Sequence, residues 1–153
     1  MLVPDAILRE CRKGGEFETL EPVPRVKIDE LKIKFPNLPQ QYLYFLEHVG
    51  EGVTRSEYCI FQPFAAEEYY DIPEGGDFLL PGPWETSGLP EGMTMPPRSA
   101  LVFAPSGGAW DYCFSGLGDE AVFTLDVTVP LFSRSYDDFF SYVSRLTNRT
   151  PKI

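Results

Sequence analysis

Residues 38–52 read "LPQQYLYFLEHVGEG", and the fold turns on how this stretch is read. Pro39 fits the first helical position, where its missing N–H costs nothing. Tyr42, Phe45, Leu46 and Val49 recur at i, i+3, i+4 and i+7, the spacing of one apolar helix face. Gly50 or Gly52 is suited to the positive-φ conformation that ends a helix. His48, the only histidine, falls in the last turn, where a cation interacts favourably with the negative end of the helix dipole. That position raises proton affinity without implying proton transfer. A general base needs an orienting partner and a pocket, and the sequence names neither. His48 is therefore read as a helix-end residue.

Working outward, "MLVPDAILRECRKGG" predicts a short helix with Pro4 in its first turn and Gly14-Gly15 as its stop. Ile28, Leu31 and Phe35 predict one face of a second helix, which Pro36 prevents from continuing. "EYCIFQPF" reads as a strand, and "AAEEYYDI" as a possible turn of helix. Residues 72–98 hold six prolines and five glycines, too many for a regular element, so a long loop is expected. "SALVFAP", "AWDYCFSG" and "AVFTLDVTV" then read as three strands, with the "SGG" of 106–108 as a hairpin turn between the first two. Trp110, Tyr112 and Phe114 share one face of the second. Ala121, Phe123, Leu125, Val127 and Val129 form the apolar side of a half-buried third. Ser135 and Asp138 resemble a capping box for a final helix with Tyr136, Phe139, Phe140 and Val143 on its inner face. Helices, a strand meander and one closing helix give an α+β fold with a central, mostly antiparallel sheet flanked by helices. The 153 residues are read as one domain.

The net charge is −10, and it is unevenly placed: residues 56–133 carry twelve acidic residues and one basic one, Arg98. This balance argues against nucleic acid or an anionic membrane as partner, since both require a basic footprint. The apolar runs are too short to span a membrane, and the N-terminus lacks a secretory pattern, so a cytoplasmic protein is expected. Cys11, Cys59 and Cys113 include no CxxC pair and are read as reduced thiols, with a Cys–His nucleophile pair as the sharper alternative. No metal and no cofactor are expected. Neither phosphate loop, GxGxxG, HExxH nor GxSxG occurs. The neighbouring carboxylates Glu67-Glu68, Asp119-Glu120 and Asp137-Asp138 read as solvated acidic faces, because sequence neighbours diverge on a strand and only partly converge on a helix.

The order of these pieces resembles the SUKH superfamily, which includes fungal cell-wall regulators and many bacterial immunity proteins. The matching residues of its N-terminal signature are Leu38, Pro39, Tyr42, Phe45, Leu46, Gly50 and Gly52. "LVFAPSGGAWDYCFSG" is similar to the family's strand, glycine turn and strand, "AVFTLD" to its next strand ending at Asp126, and "SRSYDDFFSYVSRL" to its closing helix with capping Ser135. The likeness runs roughly from residue 28 to 147. It departs at Gly50-Glu51-Gly52, where the family often has Asn-Gly-Gly, and at Ala109-Trp110, where Gly-Asp is common. The resemblance implies a binding role, commonly neutralising a toxin, and no shared catalytic site.

The expected partner is thus a protein, a basic toxin domain such as a nuclease, met by a monomer or weak dimer. The expected contact set lies in the acidic, aromatic segment: Glu67, Glu68, Tyr69, Tyr70, Asp71, Glu74, Asp77, Phe78, Trp84 and Glu85. Carboxylates speed encounter and aromatic side chains anchor the complex. A regulatory scaffold module is the second reading, and a cysteine-dependent hydrolase ranks last.

Overall fold

Proline begins three helices of the described residues in the same way. The computed structural model describes residues 3–66, 93–94, 97, 99–105, 110–126 and 132–147. Helix α1 spans Asp5–Arg9, α2 Arg25–Lys34 and α3 Gln40–His48, with Pro4, Pro24 and Pro39 at their N-caps. Each proline is one residue earlier than the first helical position, with ψ of 143°, 147° and 138°. A residue at that place needs no N–H and supplies its carbonyl to the first helical bond. The carbonyls of Pro4, Pro24 and Pro39 accept from the amides of Leu8, Ile28 and Leu43.

Helix α3 ends where the sequence pattern predicts. The amides of Val49 and Gly50 both donate to the Phe45 carbonyl, at 2.7 and 2.9 Å, and the Val23 amide takes the Leu46 carbonyl at 2.8 Å. Carbonyls left open by the helix end are thereby satisfied. Gly50 has φ +130°, and a Cβ there would lie 2.4 Å from the Glu21 carbonyl carbon. Glu21 and Glu51 exchange backbone hydrogen bonds across this contact, at 2.9 and 3.0 Å. Glycine is required on two counts, conformation and space.

The strands are β1 (Gly52–Val53), β2 (Cys59–Ile60), β3 (Phe64–Ala65), β4 (Met93–Thr94), β5 (Leu101–Pro105), β6 (Trp110–Phe114), β7 (Val122–Asp126) and β8 (Phe132–Tyr136), followed by helix α4 (Phe139–Thr147). Strands β1 and β2 pair as a two-stranded sheet; the others form a six-stranded sheet in the order β3-β5-β6-β7-β8-β4. Every pairing in it is antiparallel. The fold is α+β, as expected. No helix among the described residues is long and apolar enough to cross a membrane.

Four expectations are corrected. "EYCIFQPF" is not one strand but two, β2 and β3, which pair with different partners. Pro63 lies between them, and its missing N–H interrupts a ladder. Part of the expected loop at 72–98 is strand, because Met93–Thr94 pairs with β8. A two-residue edge pairing is made by backbone alone and leaves no periodicity to read. Strand β8 itself has the polar sequence "FSRSY" and takes in Ser135 and Tyr136, which the sequence assigns to the last helix. Ser135 therefore caps nothing; its hydroxyl shares a hydrogen bond with that of Thr124 on β7. The cap is Asp138, whose Oδ1 accepts from the Ser141 amide at 2.8 Å. The S-x-x-D spacing is present, but the helix begins after the aspartate rather than after the serine.

The apolar side chains fall into two clusters, one on each face of the sheet. On the helix side, Tyr42, Phe45, Leu46 and Val49 are all buried, with Phe103, Phe114, Phe139 and Tyr142. The ring of Tyr42 lies 4.8 Å from Phe114, 5.2 Å from Phe139 and 5.5 Å from Phe103. Val122 of β7 joins this cluster, whereas Phe123 and Leu125 face the other, with Val102, Cys113 and Phe132. The alternation in β7 is thus real, but both of its faces carry buried residues: Val122 and Leu125 are each fully buried. Residues 127–130, and with them Val127 and Val129, lie outside the described residues.

Removing the Leu46 side chain, which is fully buried, leaves a cavity in the helix-side cluster. Leu46→Ala is expected to cost about 2–5 kcal/mol in chemical denaturation; an unchanged midpoint would refute the packing.

Asp138 supplies a second prediction. Partial burial raises its pKa, but hydrogen bonds from the Ser141 hydroxyl and amide and from Gln41 outweigh this and hold the carboxyl below the ordinary aspartate value. A carboxyl more acidic when folded contributes fully above its unfolded pKa and loses that contribution as pH falls through the lowered folded value. Asp138→Ala should cost about 1 kcal/mol at pH 7. The gap from the unsubstituted protein should close as the carboxyl protonates in acid, measured by thermal melts across pH.

Candidate functional site

Helices α2 and α3 are joined by a short proline-bounded connection, and the groove between them is a concave feature whose lining is fully described. It has a volume of about 670 Å³ and is lined by Arg25, Ile28, Lys32, Pro36, Leu38, Gln40, Leu43, Tyr44, Glu47 and His48. Its floor arises from packing: Ile28 and Leu31 of α2 are buried against Leu43 and Leu46 of α3 as part of the helix-side cluster. Its rim arises from the residues between those apolar positions on each helix, which project outward.

The rim is polar and mostly basic. Arg25 Nη1 donates to Glu47 Oε1 at 2.9 Å and Oε2 at 3.3 Å, while its Nε stands 3.5 Å from Asp29 Oδ1. The hydrogen bond from Arg25 holds the Glu47 carboxyl below its usual range against the opposing effect of desolvation, helped by the charges of Arg25, His48 and Lys32. His48 Nε2 lies 3.7 Å from Glu47 Oε2, and its ring packs on Tyr44 with centroids 4.1 Å apart. Lys32 makes no ion pair within 4.0 Å among the described residues. The arrangement can hold an apolar group against the floor and an anionic one at the rim.

His48 stands where the sequence places it, in the last turn of α3. Its neighbours, a tyrosine ring and a carboxylate already engaged by Arg25, suit a surface packing role. No cysteine lines the groove around it. Burial, then the charge of Glu10, raises the Cys11 thiol pKa, and burial, then Asp111, pushes that of Cys113 well up. Both shifts favour the unreactive thiol over the thiolate.

The family-motif residues cluster around α3. Leu38, Pro39, Tyr42, Phe45, Leu46 and Gly50 are buried, and Gly52 has φ +133° at the start of β1. Asp126 is elsewhere, at the end of β7 opposite Trp110, and Ser135 lies on the adjacent strand. The acidic neighbours diverge. Asp119 accepts from Ser115 Oγ at 2.7 Å and the Ala121 amide at 3.1 Å, closing its own turn. Asp137 pairs with Arg134 at 3.3 Å while Asp138 caps α4. Among the described residues, no group of three or more His, Cys, Asp or Glu is placed to hold a metal ion. Glu67, Glu68, Tyr69, Tyr70, Asp71, Glu74, Asp77, Phe78, Trp84 and Glu85 lie outside the described residues, as does the "SGG" turn.

The sequence reading missed the groove. Arg25 and Glu47 are 22 positions apart, and no periodicity relates two polar residues on different helices. Comparison with models of protein families, with curated proteins and with solved structures finds no match to this chain.

The surface role of His48 is open to test. His48→Gln should fold normally and lose less than about 1 kcal/mol, the scale of a helix-end charge. A variant whose melt falls well beyond that would refute the surface reading.

Proposed function

We propose that the chain is a protein-binding domain without catalysis of its own, a SUKH-like immunity protein that neutralises a basic bacterial toxin in the cytoplasm by occupying its active site. The observation that carries this reading is the segregation of charge: residues 56–133 hold twelve of the 23 acidic residues and one of the 13 basic ones. Many such toxins are nucleases and basic because they bind phosphates. An acidic segment complementary to that surface gains association rate and specificity. The segment interleaves Glu67, Glu68, Asp71, Glu74, Asp77 and Glu85 with Tyr69, Tyr70, Phe78 and Trp84. Charges alone would give fast but salt-weakened encounter, since exposed charges are screened beyond ~8 Å at physiological ionic strength. Aromatic anchors supply residence time. The order of elements, a proline-led helix, a glycine stop, an antiparallel meander and a closing helix, is what the family resemblance calls for.

A regulatory scaffold module is the second reading, and the basic rim of the α2–α3 groove favours it, because that surface does not complement a basic toxin. A cysteine-dependent hydrolase has the least support, given the raised Cys11 and Cys113 thiols.

The test is binding kinetics against the toxin domain encoded beside this chain's gene, at several salt concentrations. Association should slow with added salt and with Glu67→Lys combined with Glu68→Lys, and Trp84→Ala should speed dissociation while leaving the melt unchanged. Association indifferent to both salt and charge reversal would remove the electrostatic basis. An interface mapped wholly outside residues 64–91 would remove the proposed contact set.

A further inference from the structure

We infer that the groove between α2 and α3 is a second docking site, of opposite polarity, for a short acidic segment of a partner protein. Such a segment seats one large apolar side chain against Leu43 and Tyr44 and sets a carboxylate against Lys32 and His48. This goes beyond the proposed function, since it does not require the partner to be a toxin and uses none of the residues of the acidic segment.

Charge complementarity selects the occupant. The groove's lining holds Arg25, Lys32 and His48 against one carboxylate, Glu47. That carboxylate is taken by Arg25 at 2.9 Å, and Arg25 is further engaged by Asp29 at 3.5 Å. The Arg25 network is therefore internally satisfied, and of the basic residues lining the groove Lys32 is the one with no ion pair to a described residue. A basic segment would meet Lys32 with no free carboxylate to repay its desolvation; an acidic one meets a ready partner. The protein's net charge of −10 does not forbid this. Exposed charges more than about 8 Å away are screened at physiological salt, so the local set decides.

The groove also offers more than charge. Tyr44, half-buried and packed on His48 with ring centroids 4.1 Å apart and planes inclined by 41°, presents an aromatic side chain that is already held in place. A preordered tyrosine loses little entropy when a side chain packs on it. The volume of about 670 Å³ lies within the range of pockets that bury a ligand of several side-chain groups. An apolar floor with a few convergent polar groups is the arrangement that fixes both affinity and orientation.

The test is an NMR titration of isotope-labelled full chain with the acetylated, amidated pentapeptide EDWED and its charge-reversed counterpart KRWRK. EDWED should shift amides of α2 and α3 around the groove, and KRWRK should not. Lys32→Glu should weaken EDWED at least about threefold with an unchanged melting temperature. Lys13→Glu, an equal charge change at an exposed lysine outside the groove lining, should leave affinity nearly untouched. Equal binding of the two peptides, shifts centred elsewhere, equal weakening by the two variants, or no shifts at millimolar peptide would each overturn the inference. None of these outcomes depends on whether the acidic segment binds a toxin.

Discussion

The Tyr42 side chain is the contact on which the rest of the molecule is assembled. Its ring is buried among Phe103, Phe114 and Phe139, so it joins α3 to two central strands and to the closing helix. Its hydroxyl donates to the Phe61 carbonyl, which ties the helix to the segment between β2 and β3. Burial, then the nearby charge of Glu51, pushes the hydroxyl's pKa well above its ordinary value, so it remains a donor. An unpaired buried hydroxyl costs roughly 1–3 kcal/mol, and this one is paired. Apolar area and one directed hydrogen bond thus fix both the depth and the rotation of α3.

Two backbone features let that contact form. The register of β5 against β6 shifts between Val102 and Ala104, a bulge at Phe103, and the Phe103 carbonyl accepts from the Phe61 amide at 2.8 Å. The bulged residue is thereby recruited to hold the same segment that receives the Tyr42 hydroxyl. At the other end of α3, Gly50 permits the close passage of Glu21, which pins the chain preceding α2 beneath the helix end. The α2–α3 groove is a by-product of this arrangement: α3 is held by the sheet, α2 is held by α3, and their outward faces meet at Arg25 and Glu47.

Charge is distributed in the opposite sense to packing. The buried stripe of α3 is apolar and aromatic, while α2 presents Lys32 to the groove and Val26 and Ile33 to solvent, 62% and 83% exposed. A helix that buries only Ile28 and Leu31 contributes modestly to the core and leaves most of its surface for contact with something else. The basic-rimmed groove and the acidic segment of the sequence therefore differ in chemistry and make different demands on a partner.

The sequence by itself determined the elements whose cause is local. The i, i+3, i+4, i+7 stripe gives α3 its buried face, prolines set the helix starts to within one residue, and Gly50 sets a stop because no side chain tolerates that φ. A continuous apolar run marks β5, and apolar residues two apart mark β6 and β7, since each pattern is written within a few consecutive positions. Tertiary structure alone decided what depends on partners distant in the chain. The short edge pairing of β4 and the polar strand β8 are held by backbone bonds to neighbours, which side-chain patterns do not encode. Asp138, rather than Ser135, became the cap because β8 claimed the serine first. The face of the sheet that Leu125 occupies was fixed by which side the helices took. The groove of Arg25, Lys32, Tyr44, Glu47 and His48 belongs to the same class. Its residues are polar, they sit on two helices, and only the packing of the apolar residues beneath brings them together.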